Sequence, residues 1–334
     1  MRKFLAFLGF FLLGIILFLS VIRALGWSEI WDVIIQFWGG KGLLLLVLTL
    51  GMILLGALRW REILRHQGFY LPLASLLKQY AGGFSLSFFF PMVVFGNEMF
   101  RSYSLQELHG VPLQRGIVSV VTERFLEMTA YLMVLAVGVL FLLFSYGPPI
   151  PSLLWWILLL IFLLGLALLF FYLKSHRRES ILRMFFPKLK NSNGFLEMEQ
   201  EVLRFFRVQR RAFWEGMFLS FAKAAASLLR TFVLAALLGK SIGFFAGVTV
   251  TGFTFLSLVV PIPGQLGSHE ALQVLVFQAL GLGSHEGAAF AFLVRAAEFA
   301  VALLGLIVFF RIGVTLLEKS FLHTIERAFS RLFS

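Results

Sequence analysis

Hydrophobic and polar positions in this chain separate on the scale of whole segments rather than of single helical turns. Apolar stretches fall at about 4–22, 43–58, 73–95, 117–144, 152–173, 213–238, 242–260, 268–282 and 286–310, with short polar connections between them. About 20 apolar residues, at 1.5 Å of rise each, cross a ~30 Å hydrocarbon core. The pattern predicts an all-α, polytopic helical membrane protein. Phe4 to Ile22, behind Arg2 and Lys3, exceeds the apolar core of a secretory signal, and Arg23 follows without a small-residue cleavage site. It reads as an uncleaved first helix.

Three of the stretches are interrupted. Gly82-Gly83 and then Pro91 with Gly96 cut the run at 73–95, and Pro261-Ile262-Pro263-Gly264-Gln265-Leu266-Gly267 separates 242–260 from 268–282. Proline lacks an amide donor and clashes with the preceding turn, so the helices break there. Broken backbone at membrane depth survives only where protein or water satisfies it. The expected architecture is therefore about six full spans plus two re-entrant hairpins, at 73–110 and 242–282, with turns at Pro91 and at Pro261, Pro263, Gly264 and Gly267.

Composition agrees: 60% hydrophobic and 14% charged, against about 45–50% and about 25% in soluble domains. A net charge of +12 would suggest nucleic acid in a soluble protein, but here the basic residues cluster in loops beside apolar spans, so no nucleic-acid partner is expected. With the N-terminus inside, the basic clusters, including Arg59, Arg61, Arg65, Arg101, Arg115 and the run within 174–212, fall on the cytoplasmic side. Only Arg23, Lys41 and Lys240 fall outside. This holds if the first hairpin enters from the cytoplasm and the second from outside, which makes two inverted repeats and leaves both termini cytoplasmic in a cell (inner) membrane.

The expected organisation is a single integral membrane domain over 1–334. Repeat 1 covers about 73–144, a basic cytoplasmic loop 174–212, repeat 2 about 242–310, and an amphipathic tail 311–334. Phe195, Met198, Val202, Phe205 and Phe206 recur at helical spacing beside Arg204 and Arg207, the pattern of a helix lying on an anionic leaflet. No soluble catalytic domain fits between the spans, and the absence of cysteine excludes disulfides and thiolate metal sites.

The remaining charges lie inside apolar sequence and are duplicated. Pro91, Glu98, Arg124 and Glu127 in one copy match Pro263, Glu270, Arg295 and Glu298 in the other. The helix at 213–238 adds Lys223 and Arg230, seven residues apart and hence on one face. Charge at bilayer depth costs roughly 2.5–3.5 kcal/mol per residue even on lenient scales, so such groups persist when paired or functional. The interior count is four cations (Arg124, Lys223, Arg230, Arg295) and five carboxylates (Glu98, Glu123, Glu127, Glu270, Glu298). Two readings stand: structural pairs that tie hairpins to helices, or a shared substrate-binding site made of Glu98, Arg124, Glu127, Lys223, Arg230, Glu270, Arg295 and Glu298. His269-Glu270 and His285-Glu286 lack metal-site spacing, no nucleophile motif appears, and neither metal nor cofactor is expected.

Gly96-Asn97-Glu98 with Arg101, Gly110-Val111-Pro112 and Thr122-Glu123-Arg124, followed by Pro261 to Glu270, Gly281, Gly283 and Arg295, resemble the two signatures of the lysylphosphatidylglycerol synthase transmembrane (flippase-like) family. Gln265 stands where the family pattern usually has glycine, which changes the flexibility of that turn. The resemblance covers about 5–312. It implies a membrane domain like the one that moves aminoacylated phosphatidylglycerol between leaflets in MprF-type proteins. Those proteins also carry a soluble aminoacyl transferase domain, and the sequence to Ser334 shows none, so lysyl transfer from tRNA is not expected.

The leading expectation is a lipid translocase without enzymatic activity. Its partners would be membrane lipids: an anionic or aminoacylated phospholipid, a hopanoid or a polyprenyl lipid. The alternative is a membrane subunit of a polyprenyl-phosphate or glycolipid transferase pathway. An ion-coupled exporter of small solutes is a third reading.

Overall fold

The computed structural model describes residues 39–89, 96–146, 151–177, 193–208, 210–258 and 265–332. Within these lie ten helices and no strand: α1 (Gly40–His66), α2 (Leu73–Phe89), α3 (Gly96–His109), α4 (Leu113–Tyr146), α5 (Pro151–Arg177), α6 (Asn193–Val208), α7 (Arg210–Leu237), α8 (Phe244–Ser257), α9 (Ser268–Ala279) and α10 (Ser284–Leu332). Five of them, α1, α4, α5, α7 and α10, are long and apolar enough to cross a membrane. The protein is a polytopic helical membrane protein. The expected span at 4–22 and the turn residues Pro91, Pro261, Pro263 and Gly264 lie outside the described residues. Gly267 is described, with φ +81°, a left-handed conformation that glycine adopts without a Cβ clash.

Both interrupted stretches form two short helices followed by one long one. α2 and α3 run antiparallel, with Ser75 beside His109 and Gly82 against Phe100, and α4 then runs back along α3. α8 and α9 do the same, with Ser257 beside His269 and Gln273 bonded to Val250 and Thr254, and α10 runs back along α9.

The two units exchange their first helices. α8 lies along α4: as its residues rise from Thr249 through Gly252 to Phe255, their partners fall from Gly138 through Leu135 to Tyr131. α2 lies along α10 in the same antiparallel sense, with Gly82 near Phe309, Ser85 near Ala302 and Phe88 near Phe299. Each seam carries a hydroxyl donated to the opposite backbone, Thr249 to the Gly138 carbonyl at 3.0 Å and Ser85 to the Ala302 carbonyl at 2.6 Å. Small residues permit this approach.

The apolar core divides accordingly. One cluster joins Leu135, Val139, Val250, Phe253, Phe277, Phe290 and Val294; a second joins Ile53, Ala57, Trp60, Leu64, Leu76 and Leu105. α1 and α7 pack antiparallel beside them, with Arg59 bonded to Ser220 and Thr49 to Arg230. α5 stays at the periphery and exposes Trp155, Trp156, Phe162, Leu166 and Leu169, as a lipid-facing helix must.

α6 departs from the expectation of a helix resting on a leaflet. Leu196, Val202, Leu203 and Phe205 are buried against α4, α5 and α7, and Phe206 meets the rings of Phe125, Phe171 and Phe213. An apolar stripe specifies burial without specifying against what, and protein takes the place expected for lipid. The tail at 311–332 continues α10 without a break.

Candidate functional site

A cavity of about 190 Å³ opens where α1, α2, α3, α4, α7, α8 and α10 meet, and charged side chains line much of it. Helical spacing aims them. Arg124, Glu127 and Tyr131 on α4 stand three and seven residues apart, and Lys223, Ser227 and Arg230 on α7 stand four and seven apart, so each set shares a face.

Glu127 is the hub. Its Oε1 accepts from Lys223 Nζ at 2.5 Å and from the Tyr131 hydroxyl at 2.9 Å, and lies 3.2 Å from an Arg59 Nη2. Its Oε2 accepts from Arg124 at 3.3 Å, and Arg124 Nε in turn donates to Glu98 at 2.9 Å. One turn earlier on α4, Glu123 is fully buried and accepts from Arg59 at 2.6 Å and from Arg101 at 2.5 Å. The Arg101 guanidinium lies over the rings of Trp60 (4.0 Å) and Tyr80 (4.6 Å), a favourable placement for a desolvated cation. Tyr80 also accepts from Lys223 at 3.2 Å.

On the other unit Arg230 donates to Glu298 at 3.1 Å and to Thr49 at 3.3 Å. Arg295 pairs with Glu270, whose second oxygen accepts the Gly267 amide at 2.8 Å and caps the start of α9.

The eight residues expected to bind substrate thus divide. Arg124, Glu127, Lys223, Arg230 and Glu298 line the cavity. Glu98, Glu270 and Arg295 are held in pairs that tie α3 to α4 and α9 to α10. The duplicated Arg-x-x-Glu also functions differently in its two copies. Arg124 and Glu127 pair with each other, whereas Glu298 turns to Arg230 and Arg295 to Glu270.

Arg59 and Arg101 are corrections to the sequence reading, which places them among the cytoplasmic basic residues. They are 0% and 2% exposed, because α1 runs on to His66 and α3 folds back on α4, carrying both guanidinium groups inward to Glu123. Among the described residues the interior therefore holds six cations and the same five carboxylates. Arg59, near the end of an apolar run, gives no sequence signal for this, and the signature that contains Arg101 does not specify its burial. Tyr80 and Tyr131 likewise join the cavity wall without a signal in the sequence, and Asn97 of the Gly96-Asn97-Glu98 signature stands there too.

The two His-Glu pairs do not converge. His269 lies 3.0 Å from Ser257 Oγ, and Glu286 pairs with Lys240 at 2.8 Å. Among the described residues no group of three His, Asp or Glu is placed to share a metal ion.

Tyr80 keeps its place because Gly56 leaves room for it: a Cβ at Gly56 would lie 2.2 Å from the Tyr80 hydroxyl oxygen. Gly56→Val is expected to displace the ring from between Arg101 and Lys223 and to cost about 1–3 kcal/mol of overpacking. A melting temperature equal to that of the parent would contradict this placement.

Among known proteins, the family model described as "Lysylphosphatidylglycerol synthase TM region" matches residues 5–305. No curated protein and no solved structure matches.

Proposed function

The chain belongs to the lysylphosphatidylglycerol synthase TM family, a membership that carries a membrane lipid-related function, and from that premise we propose that it is a lipid translocase. It moves a polar-headed lipid between leaflets through the charged cavity and is not an enzyme. The observation that carries the reading is the convergence of Arg59, Arg124 and Lys223 on Glu127 beside a cavity between two hairpin units. Charge held this deep between apolar clusters is costly unless it meets a charged ligand or a fixed partner.

The two units act as inverted repeats. Their exchanged, antiparallel helices support that arrangement, since the first helix of each unit runs against the long third helix of the other. In transporters of this design the substrate site lies at the repeat interface, and rocking of one unit on the other exposes it to alternate sides. The head group occupies the cavity, the acyl chains stay in lipid, and the broken helices re-enter the membrane they line. The protein resides in the cell membrane with both termini cytoplasmic, and its partners are membrane lipids rather than nucleic acid.

Leaflet-resolved measurement of acyl-labelled lipids in proteoliposomes tests this. Arg124→Gln combined with Lys223→Gln removes two cavity cations and is expected to slow translocation at least roughly tenfold, the worth of one charge-assisted hydrogen bond. Translocation indifferent to that double change would overturn the reading. Activity that required added divalent metal and released a transfer product would favour a transferase-pathway subunit instead.

A further inference from the structure

Among the described residues the ion pairs of the interior fall into three groups with different balances. Around Arg230 and Glu298, and around Arg295 and Glu270, two cations meet two carboxylates and cancel. Around Glu127, counting the described residues, four cations (Arg59, Arg101, Arg124, Lys223) meet three carboxylates (Glu98, Glu123, Glu127), and one positive charge is left over. Each of those carboxylates already touches a cation, so the excess is not neutralised within the network.

The excess faces the cavity. Among the described residues Arg101, Arg124, Lys223 and Arg230 line it, against Glu127 and Glu298. The two other carboxylates of the Glu127 network, Glu98 and Glu123, stand behind the wall. Arg124 is the most exposed member of the network, its side chain 40% accessible. The wall also holds unused polar capacity: Arg101 Nε and the Asn97 carboxamide oxygen are buried without a hydrogen-bond partner.

Resting on the translocase reading of this site, we propose that it takes a lipid head group carrying one net negative charge on its phosphodiester. It discriminates against a cationic, aminoacylated head group. An anion of charge −1 brings the Glu127 network to neutrality, with its phosphate at Arg124 and Lys223. A head group of charge +1 would raise the uncompensated charge to two in a poorly solvated space. Like charge so placed repels, and this is how a site rejects a wrong partner.

Two measurements on the full-length purified protein separate this inference from the transport reading. Dioctanoyl phosphatidylglycerol, dioctanoyl phosphatidylethanolamine and dioctanoyl lysylphosphatidylglycerol, with net charges −1, 0 and +1, are compared as stabilisers in detergent. Their acyl-labelled counterparts are compared for translocation in proteoliposomes. Phosphatidylglycerol is expected to bind and to move at least roughly tenfold better than the lysyl lipid, with phosphatidylethanolamine between them. Lys223→Gln, which takes the network to zero, is expected to narrow the gap between phosphatidylglycerol and phosphatidylethanolamine.

Equal or better binding of the lysyl lipid, or no head-group-dependent stabilisation at all, overturns the inference. If stabilisation follows the predicted order while no lipid crosses, the head-group assignment stands and the transport reading fails.

Discussion

Glu123→Gln is expected to destabilise the protein by about 3–5 kcal/mol, the cost of leaving a buried charge without its partner. The carboxylate lies between Arg59 and Arg101, both fully buried, and none of the three reaches bulk solvent. With glutamine there, Arg59 retains Glu127 and Ser220, but Arg101 keeps only the faces of Trp60 and Tyr80. Two guanidinium groups then face a neutral amide in a space from which they cannot withdraw. Glu98→Gln is the informative contrast, because its partner Arg124 is 40% accessible and retains Glu127. Its effect is expected to be clearly smaller, in keeping with the low worth of accessible pairs. Thermal unfolding of both variants in the same detergent makes the comparison, and equal shifts would remove Glu123 as the anchor of the interior.

The second large effect is expected at the exchanged seams. A Cβ added at Gly138 would lie 2.7 Å from the Thr249 Cα, and one at Gly305 would lie 2.3 Å from the Ala81 carbonyl oxygen. Both obstacles include backbone, so neither is relieved by a rotamer change; the helices must separate. Gly138→Ala and Gly305→Ala are each expected to cost about 1–3 kcal/mol or more through overpacking, despite the better helix propensity of alanine. Separation also breaks the Thr249 and Ser85 hydroxyl bonds to the opposite backbone, so lipid movement is expected to fall with stability. Gly165 is the control. The nearest atom to its Cβ position is a Leu132 methyl at 3.9 Å, and Gly165→Ala is expected to be neutral or slightly stabilising. Identical melting temperatures for the 138, 305 and 165 variants would show that the seams are not tightly packed.

Most of the helical layout was legible in the chain because its causes are local. An apolar run of membrane length has few alternatives to a helix, and α2 ends at Phe89 and α8 at Ser257, each within a few residues of a proline in the sequence. The duplicated Glu98–Arg124 and Glu270–Arg295 pairs were legible for the same reason: each joins a half-helix to the long helix after it, so spacing alone brings the partners together.

What lay beyond the sequence was decided by packing between distant segments. Arg59 and Arg101 resemble flanking basic residues until α1 and α3 are placed against α4, and they then reverse the sign of the interior balance from one excess carboxylate to one excess cation. The apolar face of α6 was visible at 195–208, but its burial on protein instead of lipid depends on where α4, α5 and α7 end. By itself the sequence determined that this chain is a helical membrane protein with two broken, charge-bearing units, since hydropathy and backbone chemistry act within a few residues. The tertiary structure alone decided which charges share a cavity and which are locked behind it, because electrostatic balance depends on distances that only the assembled helices define.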